Sequence, residues 1–128
     1  MKIERFEDIE AWQLARELTK MVYRLTKKAH FASDYELKNQ MCAAAGSSMH
    51  NVAEGFDSET NVEFIRFLRY AKRSCSEVQS ELYVALDENY ITADEFKGAY
   101  EQARITRATI RGFINYLRKY EAKKSSKP

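Results

Sequence analysis

The feature that most constrains this chain is a run of seven apolar or small residues at heptad spacing. Phe64, Leu68, Ala71, Cys75, Val78, Leu82 and Ala85 are separated by 4, 3, 4, 3, 4 and 3 residues. A seam of that period lies along one side of a helix, and it is satisfied only by another helix running nearly alongside. Similar seams flank it. Ala11, Ala15, Leu18, Val22 and Leu25 mark a first helix, and Leu37, Met41, Ala44, Ser48 and Val52 a second with smaller side chains. Ala103, Thr106, Ile110, Phe113 and Leu117 mark a fourth. No alternating strand pattern with hairpin turn residues interrupts them. The only proline is Pro128, so no proline breaks a helix. The chain therefore predicts an all-α fold in which four helices, joined by short links, form a bundle.

The ends of these helices carry local signals. Ser33 and Glu36, Thr60 and Glu63, and Thr92 and Glu95 each have the spacing of a capping box, and Asp8 suits the cap of the first helix. These signals predict helices over 8–29, 34–54, 61–88 and 93–122. Gly55 is expected in a left-handed conformation just past the second helix. The bundle is expected to occupy 1–122, and the basic stretch 123–128 to be a disordered tail. Leu14, Met21, Tyr23, Ile65, Tyr83, Leu86 and Ile114 are apolar but off the seams. They fit either a wide core or a second buried surface formed by self-association.

Composition bounds the function. The 128 residues suit one domain, with 45% hydrophobic and 31% charged residues. The first ten residues, MKIERFEDIE, place charges where a secretory signal has its apolar stretch. No apolar run approaches the roughly 20 residues that span a bilayer. Cys42 and Cys75, the only two cysteines, fit a reduced compartment, so a cytoplasmic location is expected with no membrane association.

Catalytic and metal chemistry find little support. A carboxylate-bridged di-metal bundle needs Glu-x-x-His, but Lys27 and Ser47 stand three residues before His30 and His50. Cys42, Cys75 and His50 lack structural-zinc spacing. Ser47, Ser48 and His50 are close in sequence but do not face one another on a helix. The chain is expected to be no enzyme and to need no cofactor.

Charge distribution is more informative than the net charge of +2. Arg104, Arg107, Arg111 and Arg118 share a face of the fourth helix, and Arg66, Arg69 and Arg73 recur at spacings of 3 and 4 on the third, beside Lys72. These seven arginines are candidate phosphate contacts for RNA or DNA. The alternative is a solvated face on a protein-interaction or scaffold module.

The motif Asn51-Val52-Ala53-Glu54-Gly55, followed by Glu63-Phe64-Ile65-Arg66-Phe67-Leu68, resembles the four-helix bundle proteins encoded in 23S rRNA intervening sequences. Phe6, Asp8, Ile9, Trp12, Ala15 and Leu18 match that family's opening, and Ala71, Ser74, Glu77 and Leu82 its third helix. The resemblance covers about residues 5–118. It departs at Ser48, Met49 and His50, where the family often has Ile-Pro-Ser, and at Ala43 and Arg73. It implies an antiparallel up-down-up-down bundle, often assembled as a ring-like homo-pentamer, with no established enzyme activity. The similar accessory proteins of diversity-generating retroelements imply a nucleic acid or a nucleic-acid enzyme as partner. Within the motif, Asn51, Glu54 and Gly55 fit a structural tie at the end of the second helix, with ligand contact as the other possibility.

Overall fold

A computed structural model describes residues 2–125. A single 3-10 turn, Phe6–Asp8, precedes five helices: α1 (Glu10–Thr26), α2 (Ala29–Ser33), α3 (Tyr35–Phe56), α4 (Asn61–Asp87) and α5 (Ala93–Ser125). Among the described residues there is no strand, and no helix is long and apolar enough to cross a membrane. The four predicted helices correspond to α1, α3, α4 and α5. Each packs on two others: α3 on α4, α4 on α5, and α1 on both α3 and α5.

The core follows the seams. All seven seam residues of α4 are buried, as are Leu18 and Val22 of α1, Met41 and Val52 of α3, and Ile110 of α5. The seam residues Leu25 and Phe113 are only half-buried. The off-seam residues divide. Ile65 and Ile114 widen the core, whereas Tyr23 and Tyr83 are exposed. The buried hydroxyls satisfy themselves on backbone carbonyls: that of Ser48 donates to Ala45 O at 2.6 Å and that of Thr106 to Gln102 O at 2.7 Å. A buried hydroxyl without such an acceptor would cost about 1–3 kcal/mol.

Three local expectations need correction. Ser33 does not cap α3; it ends the extra helix α2, and its hydroxyl donates back to His30 O. Asp34 takes the cap instead, accepting from Leu37 N–H at 3.1 Å. The reason for α2 is Phe31, which is fully buried and stacks on Tyr90 at 5.2 Å, drawing the connection inward. Asp8 does not cap α1 either. Its carboxylate accepts from the N–H groups of Glu4 and Arg5 and closes the 3-10 turn, leaving Ile9 at the cap position. The Glu4 N–H bond, foremost, holds the Asp8 carboxyl below its ordinary value. Finally, Gly55 is not left-handed; it lies inside α3, and the only positive-φ residue among those described is Asn89 (φ 61°), in the α4–α5 connection.

Thr60 accepts from Glu63 N–H as expected, but Glu63 turns to Arg66 rather than back to the cap. Thr92 and Glu95 form the full reciprocal box, at 3.1 and 2.8 Å. Helix α5 runs through Lys123 and Lys124 to Ser125, past the predicted end at 122. The rest of the expected tail, 126–128, lies outside the described residues.

Candidate nucleic-acid interface

Two stripes of positive charge meet where α4 packs on α5. From α4 come Arg69 and Lys72; from α5 come Arg104, Arg107, Arg111 and Arg118. They line an open groove of about 750 Å³, with Ala108, Gly112, Ile114 and Asn115 completing the wall. The small residues matter locally. Nothing lies within 4 Å of where a Gly112 Cβ would stand, so the floor there is open. Across the groove the Arg107 guanidinium reaches Ser76 Oγ at 3.5 Å, the long limit of a hydrogen bond.

No carboxylate lines this groove. Arg104 is neutralised by Glu101 one turn earlier, in an ion pair that holds the Glu101 carboxyl below its ordinary value. Among the described residues, Arg69, Lys72, Arg107, Arg111 and Arg118 make no ion pair. Unpaired like charges held by two rigid helices repel one another. Their proximity is a standing cost that a bound polyanion relieves.

The structure brings together five of the seven sequence-predicted arginines and separates two. Arg66 turns away from the groove. It donates to Glu63 Oε2 at 2.7 Å and to the Tyr70 hydroxyl at 3.2 Å, and its guanidinium lies 5.2 Å from the Phe67 ring centre. Arg73 lies over Tyr70 at 5.9 Å. Both therefore belong to an aromatic cluster on another part of α4. Lys72, Ser76 and Asn115 were not among the predicted contacts. For Lys72 and Ser76 the signal was phase: Arg69, Lys72 and Ser76 fall on one stripe of α4 at spacings of 3 and 4.

In the Asn-Val-Ala-Glu-Gly motif, the Asn51 amide donates to both the carbonyl and the hydroxyl of Ser47, each at 2.9 Å. That hydroxyl accepts in turn from Ser74 Oγ at 3.0 Å, linking α3 to α4. Glu54 is exposed and makes no hydrogen bond or ion pair among the described residues. Gly55 is buried against Phe64 and Phe67. Cys42 lies 3.6 Å from the Thr26 hydroxyl, and burial pushes the Cys75 thiol up to about 12, with the Arg107 charge opposing. Among the described residues, no group of three or more His, Cys, Asp or Glu could hold a metal ion.

A family model described as 23S rRNA-intervening sequence protein matches residues 7–112. The chain belongs to that family. The match takes in the motif and most of the groove, and ends before Asn115 and Arg118. The fold is shared with a crystal structure of a protein of unknown function from the S23 ribosomal protein family of Bacteroides thetaiotaomicron. That likeness has a TM-score of 0.75 and covers 81% of this chain and 97% of the other at 15% identity. No curated protein matches this chain.

Proposed function

We propose that this member of the 23S rRNA-intervening sequence family is a non-catalytic cytoplasmic module that holds the phosphate backbone of RNA or DNA in the α4–α5 groove. The observation that carries this is the convergence of six cationic side chains from two helices on one groove without an acid in its lining. Phosphate contacts of this kind release counterions, and binding then weakens steeply with salt. Titration of the purified protein against a structured RNA across a range of salt concentrations tests it. The expected slope of log K against log salt lies between about −2 and −5 for a handful of contacts. No detectable binding at low salt would end the proposal.

The helices are best read as an antiparallel up-down-up-down bundle. Tyr90, in the α4–α5 connection, donates to Asp34 between α2 and α3 at 2.9 Å, and Lys28 bonds Glu95. Asn61, at the start of α4, donates to Glu121 near the end of α5 at 2.9 Å. These ties support a reading in which alternate connections lie at opposite ends.

Self-association is the second part of the proposal. Val62, Tyr116 and Tyr120, near the start of α4 and the end of α5, are 69%, 63% and 52% exposed. That much exposed apolar surface favours a protein neighbour. A second copy of the chain, as in the ring implied by the family resemblance, would multiply the groove and its charge. Light scattering coupled to size-exclusion chromatography measures the assembly, and a strict monomer would remove it.

A further inference from the structure

The helix stripes that supply the groove's cations run on beyond it. On α4, Arg69, Lys72, Ser76 and Tyr83 are separated by 3, 4 and 7 residues, and on α5, Tyr100, Arg104, Arg107, Arg111 and Arg118 by 4, 3, 4 and 7. At about 100° per residue, both series stay within roughly 60° of a single direction. The pairing of the helices brings the two series together at two levels. Arg107 meets Ser76 at one level, and Tyr100 meets Tyr83 at another, with ring centres 5.8 Å apart.

At that second level the surface changes character. Tyr83, Phe96 and Tyr100 form a three-ring cluster, with Phe96 4.9 Å from Tyr83 and stacked at 5.4 Å on Tyr100. Buried aromatics would need no explanation, but Tyr83 is 50% exposed. The neighbouring Val84 is 47% exposed. The Tyr83 hydroxyl is held above its ordinary value, chiefly by the neighbouring Tyr100. Beyond the cluster, Asp87, Glu88 and Asp94 sit at the end of α4 and the start of α5. Their charge is the wrong sign for phosphate and closes that end of the path.

The surface thus joins a stripe of cations, of which only Arg104 is paired among the described residues, to an aromatic cluster whose exposed ring is Tyr83, over about 27 Å from Tyr100 to Arg118 along α5. We propose that its ligand is an unpaired nucleic-acid strand of roughly four to eight nucleotides, its phosphates in the groove and a base at one end stacked on the Tyr83–Phe96–Tyr100 cluster. This rests on the phosphate-groove proposal and goes beyond it. Phosphates alone do not distinguish a single strand from a duplex. A base face does, because in a duplex it is covered by its neighbours.

The test uses the full chain and three fluorescently labelled probes: a ten-nucleotide single strand, an abasic strand of equal length, and a blunt ten-base-pair duplex. The single strand is expected to bind about 5- to 150-fold more tightly than the abasic strand. Tyr83→Ala should abolish that preference. Tyr83→Leu, which keeps the volume without the π-face, should do the same, and circular dichroism of both variants confirms folding. Equal affinity for the single, abasic and duplex probes would overturn the stacking platform and leave the phosphate groove standing. Absence of binding to every probe would overturn both. A change in subunit number in Tyr83→Ala, with strand preference intact, would assign the cluster to a protein contact and also overturn the proposal.

Discussion

Gly55 sits so close to Phe64 that a Cβ added there would stand 2.7 Å from the ring carbon Cδ1, and 3.0 Å from Cβ of Phe67. Gly55 and Phe64 are both buried, and the ring is held in turn by edge contacts with Phe56 and Phe113. Gly55→Ala therefore forces a packed aromatic cluster to move. Its overpacking cost of about 1–3 kcal/mol outweighs the gain of up to about 1 kcal/mol from a better helix former. Gly112 is the control: it is helical, exposed and open, so Gly112→Ala is expected to stabilise by about 1 kcal/mol. Urea unfolding of the two variants should give shifts of opposite sign.

Thr92 and Glu95 start α5 with a reciprocal cap, and Lys28 adds a third bond to Glu95. Thr92→Ala is expected to cost about 0.5–2 kcal/mol. The Lys28 bond, foremost, together with the Thr92 N–H, holds the Glu95 carboxyl below its ordinary value of 4.5. A depressed carboxyl stabilises the fold above that value, and the stabilisation fades as pH falls below it. Glu95→Gln should flatten the acid side of a stability–pH curve measured by denaturant titration.

Glu81 shows the opposite sign. One of its oxygens is buried with no hydrogen-bond partner among the described residues, and burial, reinforced by Glu77, pushes the carboxyl up to about 7 from 4.5. Between those values the folded state keeps a proton that the unfolded state releases, so stability falls as pH rises through that window. The side chain is only half-buried, and water screens the effect to on the order of 1 kcal/mol. Glu81→Gln should remove the slope between pH 4.5 and 7, as read by urea midpoints across that range.

Charge reversal within and outside the groove should separate the two sets of arginines. Arg107→Glu is expected to weaken RNA binding and to reduce the salt slope by about 0.7–0.9, the share of a single neutralised phosphate. Arg66→Glu should do much less, because Arg66 is already engaged with Glu63 and Tyr70 outside the groove. Equal weakening by the two variants in a salt-dependent binding assay would place the interface elsewhere on α4.

Cys75 is fully buried with its thiol pushed up to about 12, whereas Cys42 is half-buried. Iodoacetamide should label Cys42 in the native protein and reach Cys75 only on unfolding, a pattern that mass spectrometry resolves.

The helical content was legible because heptad periods survive many substitutions; the α4 seam needed all seven of its positions and used them. Local end signals were less secure. Ser33 and Asp34 are adjacent cap formers, and only the inward pull of Phe31 decides between them. Gly55 followed the pattern of a helix-ending glycine, but its requirement comes from Phe64 across the α3–α4 connection, beyond the few residues that a capping pattern reads. The site was half legible for a similar reason. Arg66, Arg69 and Arg73 look like one stripe, yet they straddle two faces, and the neighbour each face meets decides which arginine reaches the groove.

Helix α5 is a ruler. It is unbroken over 33 residues, and the separations of its graduations, from Tyr100 to Arg118, are set by counting alone. Swapping one side chain for another erases at most a single mark. Deleting one residue between Tyr100 and Arg104 would turn every later mark by about 100° and slide it by about 1.5 Å, facing the charges toward the interior or away from α4. Lineages carrying this chain should therefore tolerate insertions and deletions in the connections between helices, and almost none within this rod.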